Sequence, residues 1–127
     1  MILNTTFVID FLRNQKDAVT KADHLRNTGE PLFITTITVY ELWGGIEEVS
    51  EKARKLLEMF QAFGALVFDM ESAKKAGTIR RVLGKRGTPI DVENVMIAAI
   101  AIERNETLLT RNIRQFSRIE GLKVESY

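Results

Sequence analysis

Short apolar runs and helical stripes alternate along this chain from one end to the other. Met1-Ile2-Leu3 reads as a short buried strand, and Asn4-Thr5-Thr6 as a polar turn with helix-capping chemistry. Phe7, Val8, Phe11 and Leu12 then recur at helical spacing, with Asp10 and Arg13 off that face. Residues 15–27 carry only a thin stripe of Ala18, Val19, Ala22 and Leu25, which predicts a surface helix ending near Thr28-Gly29. Leu32-Phe33-Ile34-Thr35 is a second strand. Thr36 or Thr38 caps the next helix, which carries Val39 to Trp43 and is loosened by Gly44-Gly45. Residues 50–63 turn Ala53, Leu56, Leu57, Phe60 and Phe63 inward, and Gly64 closes that helix. Ala65-Leu66-Val67-Phe68 is a third strand, and residues 71–86 form a further helix.

The stretch from Thr88 to Asn112 organises the rest. Its centre, Val95 to Ile102, reads VMIAAIAI and is apolar on every side, so it is buried on every side. Periodicity alone fits a buried strand as well. Three alanines in that centre and Asp91 as an N-cap residue favour helix. Arg104-Asn105-Glu106 breaks the pattern, and Thr107 to Thr110 predicts a strand. Ile113 to Ile119 reads as a short helix and Leu122-Lys123-Val124 as a last strand. This alternation predicts one α/β domain over residues 1–127, with a mainly parallel sheet and helices on both faces.

Composition narrows the chemistry. The 127 residues suit one core, and 45 % apolar with 28 % charged content is ordinary for a globular chain. A net charge of +1 gives no global attraction to nucleic acid, so any basic surface is local. With no cysteine and His24 as the single histidine, thiolate and histidine zinc sites and cysteine nucleophiles are excluded. No apolar run nears the ~20 residues of a membrane span, and residues 1–9 do not read as a signal peptide. The expectation is a soluble, cytoplasmic protein. Phosphate-binding glycine loops and the G-x-S-x-G elbow are absent from the sequence.

What remains is a set of polar residues at strand exits. Asn4 follows the first strand, Glu41 lies early in the helix after the second, Asn94 opens the buried helix and Asn112 follows the fourth strand. In an open parallel sheet, ligands bind in the crevice beyond the strand carboxyl ends. Four side-chain oxygen donors without His or Cys suit a hard cation, Mg²⁺ or Mn²⁺, in the service of phosphoryl chemistry. Each asparagine also has a plain reading as a cap or turn residue.

The ordered segments MILNTTFVID (1–10), ITVYELWGG (37–45), NVMIAA (94–99), LLTRN (108–112) and FSRIEGLKV (116–124) resemble the PIN-domain ribonucleases, and most of all the VapC toxins of prokaryotic toxin–antitoxin pairs. The resemblance spans almost the whole chain. It implies RNA cleavage with Mg²⁺ or Mn²⁺, an RNA substrate, a VapB-type antitoxin partner and a homodimer. It places metal ligands at Asn4, Glu41 and Asn94 and a fourth site residue at Asn112. Positions 4 and 94 carry Asp in the family pattern. Asn keeps the shape and one carbonyl oxygen, but loses the charge and presents an NH₂ donor. The resemblance therefore implies an inactive or strongly attenuated chain, with a non-catalytic RNA- or antitoxin-binding module as the alternative. Asp91, three residues before Asn94, is a cap or a supplementary ligand. Arg111 and Arg114 flank the site and are candidate substrate-binding residues. Arg80, Arg81, Lys85, Arg86 and Arg118 are further phosphate contacts or solvated faces. Tyr40 and Trp43 stack on bases or belong to a core or interface. A receiver-like phosphoacceptor domain would need an acidic pair where Asn4-Thr5 stands.

Overall fold

The computed structural model describes residues 1–47 and 50–127. The strands are β1 (Ile2–Leu3), β2 (Phe33–Thr35), β3 (Gly64–Leu66), β4 (Leu108–Leu109) and β5 (Val124–Glu125). The helices are α1 (Thr5–Leu12), α2 (Lys16–Thr28), α3 (Thr36–Trp43), α4 (Glu51–Ala62), α5 (Met70–Lys85), α6 (Val92–Glu103) and α7 (Ile113–Phe116). All five strands run parallel in the order β3-β2-β1-β4-β5. The expected α/β class, parallel sheet and two-faced helical cover are present.

Alternation along the short strands divides the core in two. Ile2 and Leu108 pack with α5, α6 and α7 through Ile79, Ile97, Ile100 and Phe116. Leu3, Ile34 and Leu109 pack on the other face with Phe7, Val8, Leu25 and Leu56 from α1, α2 and α4. Helix α6 lies in the first cluster, with residues 97–101 wholly buried.

Several boundaries differ from expectation. Thr35, not Thr36 or Thr38, caps α3, its hydroxyl accepting from the Thr38 N–H at 3.1 Å. Gly64 begins β3 rather than closing α4, because it pairs with Phe33 in β2. Val67 falls beyond the end of that pairing and is exposed. Strand β5 is shifted to Val124–Glu125, its register set by Leu108 and Leu109. Helix α7 stops at Phe116 instead of Ile119. Leu57 points outward, 48 % exposed, whereas Ala53 and Leu56 are buried. Asp91 stands at the N-cap position of α6 without a capping bond from its side chain. Tyr40 is 69 % exposed, so it is not a core residue. Gly29 ends α2 in the left-handed conformation, φ 69°, as its position predicted.

Candidate active site

The strand order reverses at β1. The chain runs from β1 outward through β2 and β3, then returns to place β4 on the other side of β1. Such a switch point splays the loops that leave adjacent strands and opens a crevice between them. Asn4 leaves β1 there, and Thr110 to Asn112 leave β4. The Asn4 N–H donates to the Leu109 carbonyl at 3.0 Å, which fixes the two exits side by side.

The asparagines are joined by one hydrogen-bond chain. Asn4 Nδ2 donates to Thr110 Oγ1 at 2.9 Å and, more weakly, to Thr6 Oγ1 at 3.4 Å. Thr110 Oγ1 also accepts from the Asn112 N–H at 3.1 Å. Asn112 Nδ2 donates to Gln115 Oε1 at 3.0 Å, and Asn94 Nδ2 donates to the same oxygen. A carbonyl oxygen has two lone pairs, so Gln115 satisfies both amides at once. Asn4 is only 2 % exposed, and its Oδ1 is buried without a hydrogen-bond partner among the described residues.

Glu41 joins this group through Thr5. The Thr5 hydroxyl donates to Glu41 Oε1 at 2.7 Å and lies 2.9 Å from Thr38 Oγ1, which in turn is 3.3 Å from Thr35 Oγ1. Burial raises the Glu41 carboxyl above its ordinary value; the Thr5 bond opposes that, and the Glu93 and Asp91 charges add to it. The start of α6 therefore brings negative charge toward Glu41. Glu41 also lines a cleft of about 490 Å³, shared with Arg13, Lys52 and Lys55.

Of the four residues expected to converge, Asn4, Asn94 and Asn112 are joined by the hydrogen-bond chain through Thr110 and Gln115, while Glu41 is bonded to Thr5, the residue after Asn4. Arg114 is exposed and makes no ion pair among the described residues. Arg111 is already engaged: its guanidinium lies 3.7 Å from both Asp10 and Asp17 and 4.8 Å from the Tyr127 ring centre. Gln115, Thr5, Thr110 and Glu93 were not singled out. Gln115 stands three residues after Asn112 on a short helix, a spacing that brings the two side chains to one face; that hint means nothing until Asn94 is known to lie opposite.

The chain belongs to the PIN-domain family. The family profile matches residues 1–122. Its branch is the VapC ribonucleases. The chain is 32 % identical over 129 residues to the tRNA(fMet)-specific endonuclease VapC of Salmonella typhimurium, covering 99 % of this chain and 96 % of that one. It is 32 % identical over 125 residues to ribonuclease VapC19 of Mycobacterium tuberculosis, covering 96 % of each. Among solved structures it resembles VapBC2 from Rickettsia felis bound to a promoter DNA fragment, with TM-score 0.85, 25 % identity and coverage of 99 % and 97 %. DNA-bound VapBC from Salmonella typhimurium gives TM-score 0.83 at 28 % identity, covering 98 % and 96 %.

The PIN-domain site of this chain does not fit a tightly held divalent ion. Among the described residues, no group of three or more His, Cys, Asp or Glu is placed to hold a metal. The Glu41 carboxylate and the unpartnered Asn4 carbonyl offer oxygens, but the Asn94 and Asn112 amides direct NH₂ groups at Gln115. Hard cations are held by charge as much as by oxygen count. Asn4 and Asn94 are neutral amides and supply none of that charge.

Proposed function

We propose that this chain is a VapC-type PIN ribonuclease silenced or strongly attenuated by Asn4 and Asn94. The complete site of such an enzyme hydrolyses RNA phosphodiesters with Mg²⁺ or Mn²⁺, which polarise phosphate oxygens and activate water. The observation that carries the reading is Asn4 itself. It sits buried at the sheet's switch point, with an acceptor oxygen that no donor among the described residues meets. That oxygen is the one an aspartate would share with this asparagine, while Asn4 Nδ2, bonded to Thr110, takes the place of the second, and a carboxylate buried there would need a cation. The binding-module reading is favoured by the missing acidic group alone.

Partners follow from the relatives. Solved relatives are VapBC complexes, and a VapB-type antitoxin is the proposed partner here. A homodimer is proposed through α3, where Tyr40 and Trp43 are exposed. No helix among the described residues is long and apolar enough to cross a membrane, and a cytoplasmic site of action is part of the proposal.

The test compares this chain with the Asn4→Asp, Asn94→Asp double variant in Mg²⁺, Mn²⁺ and EDTA. The variant is expected to cut RNA only with metal, and the original chain to cut little or none. The variant's melting temperature should also rise on adding Mn²⁺, while that of the original chain barely moves, because only the variant gains carboxylates for the ion to neutralise. A folded variant that neither cuts RNA nor responds to Mn²⁺ sinks the ribonuclease reading in favour of the binding module. Equal cutting by both proteins means that the site is misplaced.

A further inference from the structure

Basic charge is concentrated in two segments of this sequence. Residues 74–86 and 111–118 hold half of the chain's 18 Lys and Arg and not one Asp or Glu. The fold brings the ends of these segments together. Arg86 follows the last turn of α5, and Arg118 comes two residues after α7. With Lys75 they line an open cleft of about 260 Å³ whose wall includes Ile79 and Val82 and whose acidic member is Glu120.

Arg86 and Arg118 make no ion pair among the described residues, whereas Arg26, Arg54, Arg104 and Arg111 all do. Two arginines at one cleft repel each other, and an anion between them relieves that repulsion. Arginine's planar donor fork matches phosphate oxygens in two-point contacts. The apolar wall suits the sugar and base that accompany each phosphate of a polynucleotide. A small inorganic anion would have no use for it.

The cleft is linked to the site through α7 and the turn that follows it. The Arg118 N–H donates to the Gln115 carbonyl at 3.4 Å, and the Gln115 side chain faces Asn94 and Asn112. Arg114 is exposed on the short helix between the two. Arg114, Arg118 and Arg86 are the cations within reach of a strand that runs from the switch-point crevice past α7 toward this cleft.

We propose that the cleft between α5 and the segment after α7 anchors RNA through its backbone phosphates, away from the bond to be cut. The cleft holds the strand by charge, without reading its sequence. This inference rests on the ribonuclease reading above.

The test measures binding of a fluorescein-labelled single-stranded RNA of mixed sequence across a salt series, using this chain and its Arg86→Gln, Arg118→Gln variant. Each phosphate contact on a single strand contributes about 0.7 to the slope of log affinity against log salt. Losing both contacts should flatten the slope by about 1.4 and weaken binding alike for RNAs of different sequence. A Lys16→Ala, Lys123→Ala variant removes equal charge elsewhere and is expected to keep the original slope. An unchanged slope and affinity in the arginine variant overturns the proposal and leaves the cleft to another anion, such as an acidic protein segment. Equal flattening in the lysine variant overturns it too, since the effect is then net charge alone. Metal-dependent cutting by the Asn4→Asp, Asn94→Asp variant together with an unchanged slope sinks only the cleft. Absence of both RNA binding and cutting sinks the ribonuclease reading with it.

Discussion

Glu41 shows how one half-buried carboxylate can report on a site. Its pKa is raised from the ordinary value of 4.5 by burial first, and by Glu93 and Asp91 further down the order of causes. A raised acid binds its proton more tightly in the folded chain than in the unfolded one. The ionised form therefore costs stability, and that cost grows as pH rises from the unfolded value through the folded one. Glu41→Gln keeps an acceptor for the Thr5 hydroxyl and removes the charge. Its melting temperature is expected to exceed that of the original chain near neutral pH, with the gain vanishing below about pH 4, where both states are protonated. A gain that persists at acid pH would point to packing instead of charge. The placement of Asn4 and Asn112 was readable from the sequence because each closely follows a short apolar strand. The convergence of Glu93 and Asp91 on Glu41 was not, since it depends on how α3 and α6 pack.

At the scale of elements, α6 was the most legible, and the inward face of α4 and the ends of the short elements the least. A run without a polar side can only be buried, and Ile97, Ala98, Ala99, Ile100 and Ala101 are each 0 % exposed. Ile100→Ala is expected to cost about 2–5 kcal/mol in urea unfolding, the range for emptying a well-packed site. A loss under about 1 kcal/mol would mean that the helix relaxes into the space. Helix α4 carries a stripe that period alone extends to Leu57, yet α4 lies beside the edge strand β3 and covers only part of that stripe. Strand ends failed for a related reason. An apolar run such as Ala65 to Phe68 gives the material for a strand, but the partner's length decides where pairing stops.

The whole molecule is closed by contacts between distant parts of the sequence. Tyr127 packs edge-on against Phe7 with ring centres 4.9 Å apart and donates its hydroxyl to Asp10 at 2.7 Å. Burial and Asp10 together push that hydroxyl's pKa up to about 12. The ring also lies under Arg111, so β5's far end, α1 and the loop after β4 meet at one side chain. Tyr127→Phe should lose about 1 kcal/mol, the net value of one hydrogen bond, and Tyr127→Ala should lose more, because ring packing goes as well. Equal losses in urea unfolding would show that the ring contributes nothing. The same cluster explains why Arg111 is not a free cation beside the site, although its position next to Asn112 predicted one.

By itself the sequence determined that this is an α/β domain, that the middle of the 95–102 run is buried (Met96 and Ile102 are half-buried), and that oxygen donors end the strands. These follow from local pattern, because apolar periodicity and strand length are written into neighbouring residues. Only the tertiary structure decided that β4 returns beside β1, that Gln115 gathers two amides, and that Arg86 and Arg118 share a cleft. Those juxtapositions join residues far apart in the chain, and free energy summed over the whole core selects them.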